Sequence, residues 1–171
     1  SPPKRGFEDI LKMTTEIGID IIQPLISERQ IKKLSNQSLK IDRWNSIINE
    51  SVEQSERLWR PELYSFIDVN EWINSLNKND CISISVTRSD NTIGLRKWIS
   101  NKKIIEGENL IIWNVIGPEG GWSKNEIEKF RKLKIQFIKL SENILRTSTA
   151  AINTASVLAE CREELMRSIY Y

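Results

Sequence analysis

Residues 110–127 read LIIWNVIGPEGGWSKNEI, and this stretch decides the fold of the chain. It opens with an apolar run of strand length, which is typical of a strand buried on both faces of a parallel sheet. A turn with one proline and three glycines follows. Ser123 and Glu126 then have the spacing of a capping box, which predicts that a helix begins at Lys124. A strand, a glycine-rich turn and a helix in this order indicate an α/β protein.

The rest of the chain also alternates between strand and helix patterns. Apolar spacing predicts strands at residues 19–26, 81–87, 110–116 and 135–140. It also predicts helices that begin near residues 7, 44, 72, 94, 124 and 147. The first helix is predicted to end at Gly18 and the second before Pro61. The polar segment 31–40 is predicted to be a loop. Helices between strands imply βαβ units, so we predict the α/β class, a mostly parallel sheet flanked by helices, and one domain over residues 1–171.

Composition narrows the chemistry that this chain can perform. There is no histidine, which removes the commonest general base, the commonest zinc ligand and the usual serine or cysteine triads. We therefore expect no metal site. The 25 basic and 23 acidic side chains are too balanced to indicate nucleic-acid binding from charge alone. Any catalysis must rest on other side chains or on a reactive cofactor.

The same composition suggests where the protein resides. Cys81 and Cys161 are far apart and form no CxxC pair, which favours two buried thiols in a reducing compartment. The first residues contain no signal-peptide core. The longest apolar runs are about seven residues, far shorter than the roughly 20 that a membrane helix needs. We expect a cytoplasmic protein that does not act with a membrane.

Three loops follow the predicted carboxyl ends of strands, where ligands bind in parallel α/β sheets: residues 87–92, 117–122 and 141–147. The second loop, GPEGG, matches neither standard phosphate motif, because Trp122 stands where the P-loop has its second glycine. Glu119 would also repel a phosphate at the start of the next helix. A neutral or cationic ligand fits better, since glycines let it approach the backbone. A tight turn that binds nothing is the alternative.

Two further motifs have more than one interpretation. LSENILRTSTAAINTA, residues 140–155, places Arg146 between an apolar pair and a helix rich in small residues. Arg146 is either a solvated surface charge or an inward anion binder. EQSER, residues 53–57, is interpreted as a solvated polar face with charge pairs, and a role in a site is the alternative.

Together, IGPEGGWSKNEI, LSENILRTSTAA and EQSER resemble the motifs of the SPOUT-class ribosomal RNA methyltransferases of the RsmE type. The resemblance extends over residues 4–159. It implies a deep trefoil knot near the C-terminus, S-adenosyl-L-methionine as the cofactor and a site completed across a homodimer. The implied reaction is methylation of N3 of a uridine in 16S ribosomal RNA of the small subunit (U1498 in the customary numbering of that RNA).

The resemblance also implies roles for individual residues. Arg146 is implied to be catalytic, placing the uridine and stabilising its N3/O4 anion, while a carboxylate or a water takes the proton. Glu16, Gln54 and Arg57 match further motif positions without a clear role. Cofactor contacts are implied for Thr87, Ile116, Gly117, Glu119, Gly120, Gly121, Leu140, Ser141, Ile144 and Leu145.

Some features depart from the family pattern. Ser141 stands where the family usually has glycine, Asn143 where it often has arginine, and Ser148 where it often has glutamate. The family's N-terminal PUA-like barrel, which docks RNA, and the strand that opens its knotted domain have no counterpart here, so we expect a fragment. These departures motivate an alternative, a SPOUT-like RNA- or partner-binding module without methyl transfer. A nucleotide-phosphate enzyme is disfavoured by Glu119 and the missing lysine.

Overall fold

The structure, a computed structural model, describes residues 4–29, 40–77, 79–89, 91–102 and 110–170. Helices and strands follow one another in the predicted order, but residues 62–63 and 67–68 also form two short strands that the sequence did not predict. The helices are α1 Lys4–Ile17, α2 Ile41–Gln54, α3 Val69–Ser75, α4 Leu95–Ser100, α5 Lys124–Lys132 and α6 Thr147–Tyr170. The strands are β1 Ile21–Ile22, β2 Leu25–Ile26, β3 Glu62–Leu63, β4 Ile67–Asp68, β5 Cys81–Ser85, β6 Ile112–Ile116 and β7 Gln136–Ile138. The predicted loop at residues 31–40 lies outside the described residues, except for Lys40.

The strand pairs of the described residues are all parallel, which confirms the predicted fold class. The main sheet has the order β6-β5-β7, while β1 pairs with β3 and β2 pairs with β4 in two separate ladders. The predicted strand over residues 19–26 is thus divided into β1 and β2. Pro24 causes this division, because it has no N–H to donate to a ladder. The side-chain amide of Gln23 donates to the backbone carbonyl oxygen of Ser65 over 2.7 Å.

Helices cover both faces of the main sheet. On one face, α3 and α5 contribute Val69, Trp72 and Phe130 to a core that also holds Ile84 from β5. On the other face, α4 and α6 contribute Leu95, Trp98 and Cys161. This double cover explains the continuous apolar run of β6, because both faces of a parallel sheet are normally buried.

The two N-terminal helices form a core of their own. Leu11 of α1 and Ile48 of α2 are fully buried, and Phe7 meets the ring of Trp44 edge-on at 4.8 Å. Gly18 ends α1 with a φ of 114°, as the sequence predicts for a C-terminal glycine. Because α1 also packs along α6, the first and last helices of the chain lie side by side.

Two absences hold for the part of the chain that the structure describes. None of its helices is both long and apolar enough to cross a membrane. Its Cys, Asp and Glu side chains also form no cluster of three or more that is placed to hold a metal ion.

Candidate ligand site at the carboxyl edge of the sheet

The three loops singled out in the sequence start next to one another at the carboxyl edge of the main sheet. The N–H of Val86, just after β5, donates to the carbonyl oxygen of Ile138 at the end of β7 over 3.0 Å. The indole N–H of Trp122, just after the glycine turn, donates to the carbonyl oxygen of Ser85 over 3.4 Å. The order β6-β5-β7 therefore brings all three loops to the edge where parallel α/β sheets bind ligands.

The glycine turn is held in shape by its own backbone and by the core beneath it. The N–H of Gly121 donates to the carbonyl oxygen of Pro118 over 2.8 Å, and Gly121 has a φ of 68°. A Cβ at position 117 would lie 3.0 Å from the indole nitrogen of Trp122, so a larger residue there would require the indole to shift. Glu119 remains at the exposed tip of the turn.

A buried carboxylate fixes the base of this turn. The capping box predicted for α5 is present: the hydroxyl of Ser123 accepts from the N–H of Glu126 over 3.0 Å, and the carboxylate of Glu126 accepts from the N–H of Ser123 over 2.6 Å. The other oxygen of Glu126 accepts from the N–H of Glu28 over 3.0 Å. Glu126 is only 1% exposed, so one buried carboxylate joins α5 to the segment after β2.

The segment after β2 also reaches the tip of the turn. The guanidinium of Arg29 donates to the carbonyl oxygen of Gly120. Residues 28 and 29 therefore hold the glycine turn at its base and at its tip. No local pattern predicts the contacts of Glu28 and Arg29, or the second contact of the Glu126 carboxylate, because their partners lie 91 and 98 residues away in the sequence.

The loop at residues 140–147 meets the glycine turn at its C-terminal end. The hydroxyl of Thr147, the first residue of α6, donates to the carbonyl oxygen of Gly117 over 3.2 Å. Arg146 directly precedes this contact, and its side chain is exposed. Ile144 is 63% exposed, so this loop presents apolar surface to solvent. The hydroxyl of Ser141 accepts from the N–H of Asn143 over 3.1 Å and so serves the loop's own backbone.

A polar network between the sheet and α6 places that helix. The side-chain oxygen of Asn114 accepts from Ser85 over 2.8 Å and from Thr154 over 3.1 Å. The side-chain nitrogen of Asn114 donates to the hydroxyl of Ser83 over 2.8 Å. Because Thr154 lies on α6, these bonds fix α6 along β6 and carry its first turn to the glycine loop. Asn114 was not predicted to have a role, although a single amide side chain within an apolar strand is a signal that the sequence contains.

The structure brings the predicted cofactor residues to one edge. The loop after β5 contributes Thr87, which is exposed. The other residues lie on the two loops that Thr147 and Gly117 join. They are Gly117, Glu119, Gly120 and Gly121 on the glycine loop, preceded by Ile116 at the end of β6, and Leu140, Ser141, Ile144 and Leu145 on the other. Arg146, the predicted catalytic residue, directly follows Leu145.

Arg57 packs against the end of α1 and is not among the residues of the candidate site. Its guanidinium donates to the carbonyl oxygens of Thr15 and Ile19 over 2.7 and 3.1 Å, at the C-terminal end of α1. Its side chain is 9% exposed, so the interpretation of Arg57 as part of a solvated face is wrong. Burial lowers the pKa of Arg57 from its ordinary value, and the carboxylate of Asp20, 3.8 Å away, acts in the opposite direction. Arg57 therefore anchors α1, and its contacts do not include the glycine turn.

The chain is thus a parallel α/β domain with three neighbouring loops at the carboxyl edge of its main sheet. Among the described residues, these loops hold no metal-binding cluster. Residues 1–159 match the family described as RNA methyltransferase domain, and the chain belongs to that family.

Several named relatives are similar over most of this chain. A ribosomal RNA small subunit methyltransferase E from Synechocystis is 30% identical, and the match covers 87% of this chain and 47% of that protein. One from Mesomycoplasma hyopneumoniae is 33% identical, with 86% and 61% covered. A crystal structure of the Neisseria gonorrhoeae enzyme bound to S-adenosyl methionine aligns with a TM-score of 0.77 and 25% identity, covering 93% of this chain and 62% of that one. The chain thus spans about half to three fifths of the length of these relatives.

Proposed function

We propose that this chain is the catalytic domain of an S-adenosyl-L-methionine-dependent methyltransferase that modifies N3 of a uridine in 16S ribosomal RNA. The observation that carries the proposal is the hydrogen bond from Thr147 to Gly117, because it joins the two proposed cofactor loops at positions that are 30 residues apart. Membership in the RNA methyltransferase family supports the reaction class. The named small-subunit enzymes support the substrate.

The residues at this edge suit the proposed cofactor. S-adenosyl-L-methionine presents a flat adenine, a ribose and a positively charged sulfonium. Ile144 and Leu145 offer apolar surface for the adenine, while the loop around Gly117 offers backbone groups with little side-chain obstruction. The exposed carboxylate of Glu119 is compatible with a cation and unsuited to a phosphate. We assign the cofactor contacts to the ten residues named for that role in the sequence.

The cofactor, when bound, supplies an electrophilic methyl group, so the protein has to position the uridine and stabilise negative charge. Uridine N3 carries a proton at neutral pH and must lose it to become a nucleophile. We assign the stabilisation of the resulting N3/O4 anion to Arg146, which is exposed and directly precedes Thr147. A nearby carboxylate or a water takes the proton. A uridine paired within a helix must first be turned out of its stack.

The partners and setting belong to the same proposal. We infer a homodimer that completes the site, a trefoil knot near the C-terminus, and a cytoplasmic protein that acts on the small ribosomal subunit. Docking of the RNA is assigned to an additional N-terminal domain, as the family resemblance implies. The relatives' greater length is compatible with that assignment.

Two measurements test the proposal at separate levels. Calorimetry on the 171-residue chain with S-adenosyl-L-methionine and with its demethylated product tests the cofactor site; no heat and no change in melting temperature at millimolar ligand would refute it. Incubation of the complete protein with labelled cofactor and with small subunits that lack the modification tests the reaction. We expect label in 3-methyluridine at one position.

A binding module without methyl transfer is the second candidate, motivated by Ser141 and Ser148. The argument from Ser141 is weakened, because its hydroxyl accepts a hydrogen bond from the N–H of Asn143 within the same loop. The two candidates separate in the labelling experiment. RNA that binds the complete protein but gains no label in the presence of bound cofactor would favour the module.

A further inference from the structure

The indole of Trp122 lies between the glycine turn and the hydrophobic core. A Cβ at position 117 would lie 3.0, 3.1 and 3.4 Å from the Nε1, Cε2 and Cδ1 atoms of Trp122, so the five-membered ring of the indole fills the space next to Gly117. The indole also meets the ring of Phe130 edge-on, at 5.2 Å and an interplanar angle of 87°. Phe130 is fully buried in the core that α3, α5 and the main sheet form. The position of the turn therefore depends on an aromatic ring that the core holds in place.

The same indole joins the glycine turn to a second loop of the site. Its N–H donates to the carbonyl oxygen of Ser85 over 3.4 Å, at the end of β5. The loop that follows β5 contains Thr87, one of the residues assigned to the cofactor. On its other side, the turn is joined to the first residue of α6 by the hydrogen bond from Thr147 to Gly117. Trp122 and Thr147 together connect the turn to both of the other loops.

The need for glycine at position 117 comes from this indole and not from the backbone. The φ of Gly117 lies outside the left-handed region that favours glycine, whereas Gly121 has a φ of 68°. The backbone at position 117 is therefore compatible with a side chain. The three heavy atoms nearest to the position of a Cβ there all belong to Trp122. Positions 117 and 122 are thus a complementary pair, in which a missing side chain makes room for a large one.

We propose that Trp122 is a positioning residue of the cofactor site: its indole fixes the distance of the glycine turn from the core and ties the turn to the loop after β5. This inference rests on the proposed function, which assigns S-adenosyl-L-methionine to these loops. Trp122 acts through the turn and not on the reacting atoms. With a smaller side chain at position 122, the turn loses its support and its N–H bond to Ser85. Binding then has to order the turn, which costs affinity.

A role in core packing alone predicts a different result, and Trp72 is the matched control. Trp72 is 4% exposed in the same core and meets the ring of Trp113 edge-on at 5.4 Å. We expect Trp72→Leu to lower the melting temperature and to leave the affinity for S-adenosyl-L-methionine unchanged below the unfolding transition. We expect Trp122→Leu to lower that affinity by on the order of ten-fold, as measured by calorimetry. Wild-type affinity in Trp122→Leu would overturn the proposal.

The conservative variant Trp122→Phe separates the two contributions of the indole. It keeps an aromatic ring that packs against Phe130 but has no N–H to donate to Ser85. Its affinity should therefore lie between those of the wild type and Trp122→Leu. An affinity of Trp122→Phe below that of Trp122→Leu would contradict the support that the ring is proposed to give.

A second substitution tests the pairing of positions 117 and 122. In the wild type, Gly117→Ala forces the indole to shift, so the affinity should fall by on the order of ten-fold. In the Trp122→Leu background, the flexible leucine leaves room for the added methyl group, and Gly117→Ala should lower the affinity by less than about two-fold further. Equal losses in the two backgrounds would overturn the pairing, because the methyl group would then obstruct the cofactor itself.

Hydrogen exchange without ligand separates this inference from the proposed function. The N–H of Gly121 donates to the carbonyl oxygen of Pro118 over 2.8 Å within the turn, so its exchange rate reports how often the turn opens. In the 171-residue chain, Trp122→Leu should speed this exchange by on the order of ten-fold, and Trp72→Leu should not change it. Unchanged exchange in Trp122→Leu would overturn the proposal. A wild type that binds no cofactor would refute the proposed function, and exchange at Gly121 would still decide whether Trp122 positions the turn.

Discussion

Thr147 donates its hydroxyl hydrogen to the carbonyl oxygen of Gly117 over 3.2 Å, which links the first residue of α6 to the first residue of the glycine turn. The bond is local in space and distant in sequence. It limits how far apart the two loops of the proposed cofactor site can move.

Replacing Thr147 with valine keeps the shape of the side chain and removes this bond. We expect the affinity for S-adenosyl-L-methionine to fall about five-fold, since a neutral hydrogen bond contributes about 1 kcal/mol and about 1.4 kcal/mol is ten-fold. Calorimetry measures the dissociation constant. Thr149→Val is the matched control, because Thr149 is exposed on the same turn of helix. Wild-type affinity in Thr147→Val would show that the contact does not organise the site.

Glu126 provides a test of how the glycine turn is anchored. In Glu126→Gln, an amide NH₂ replaces one of two oxygens that both accept backbone N–H groups, from Ser123 and Glu28. The free energy of unfolding should fall by about 1–3 kcal/mol, because a buried donor loses its partner. Urea denaturation measures the change. Glu128→Gln, at an exposed position of the same helix, should leave stability unchanged. A Glu126→Gln protein as stable as Glu128→Gln would contradict the anchoring role.

Arg57 offers a test that concerns stability and not the ligand. Arg57→Ala removes the donor to the carbonyl oxygens of Thr15 and Ile19, and we expect the free energy of unfolding to fall by about 2–3 kcal/mol. Arg60→Ala is the control, since Arg60 is exposed only three residues further on. Cofactor affinity, measured below the unfolding transition, should stay unchanged in both variants. If Arg57→Ala lowered the cofactor affinity without lowering the free energy of unfolding, Arg57 would contribute to cofactor binding after all.

The order of the helices and of the longer strands was predictable because it depends on neighbours in sequence, whereas the two-residue strands β3 and β4 were not predicted. The capping box of Ser123 and Glu126 needs only a spacing of three, and Gly18 ends α1 through its own backbone angles. The class of fold followed from the same local signals. The motif resemblance then directed attention to the loops that the sheet brings to one edge.

What the sequence did not predict depends on contacts between distant residues. A charged side chain at the end of a polar helix looks the same whether it is solvated or, like Arg57, buried against another helix. Glu126 was predicted only to cap its own helix, yet one of its carboxylate oxygens accepts a hydrogen bond from the N–H of Glu28. In the sequence, Asn114 is a single polar residue within an apolar strand. In the structure it is the centre of a hydrogen-bond network that extends to α6. In each case the partner is fixed only once the chain has folded.

The thiol of Cys161 gives a prediction about pH. Burial raises its pKa above the ordinary 9.0, with nearby Arg96 acting in the opposite direction. The folded protein therefore keeps this proton where the unfolded chain releases it, so the stabilising contribution is complete below pH 9.0 and is lost as pH rises through the raised pKa. Relative to Cys161→Ala, the wild type should lose stability between neutral and strongly alkaline pH. Parallel pH profiles for the two proteins in urea denaturation would contradict this.

A substitution of Arg146 tests whether this residue acts in methyl transfer and not in cofactor binding. If its guanidinium stabilises the uridine anion, Arg146→Ala should lower the rate of methyl transfer by about 10²–10³-fold, the usual cost of losing a group that meets developing charge. The affinity for S-adenosyl-L-methionine should change little, because the cofactor contacts are assigned to other residues. Arg146→Lys keeps the positive charge but loses the planar guanidinium group, so its rate of methyl transfer should lie between those of the wild type and Arg146→Ala. Arg167→Ala, at an exposed position near the far end of the same helix, is the control. Equal losses of affinity and rate in Arg146→Ala would make Arg146 a cofactor ligand, and wild-type rates would remove it from the site.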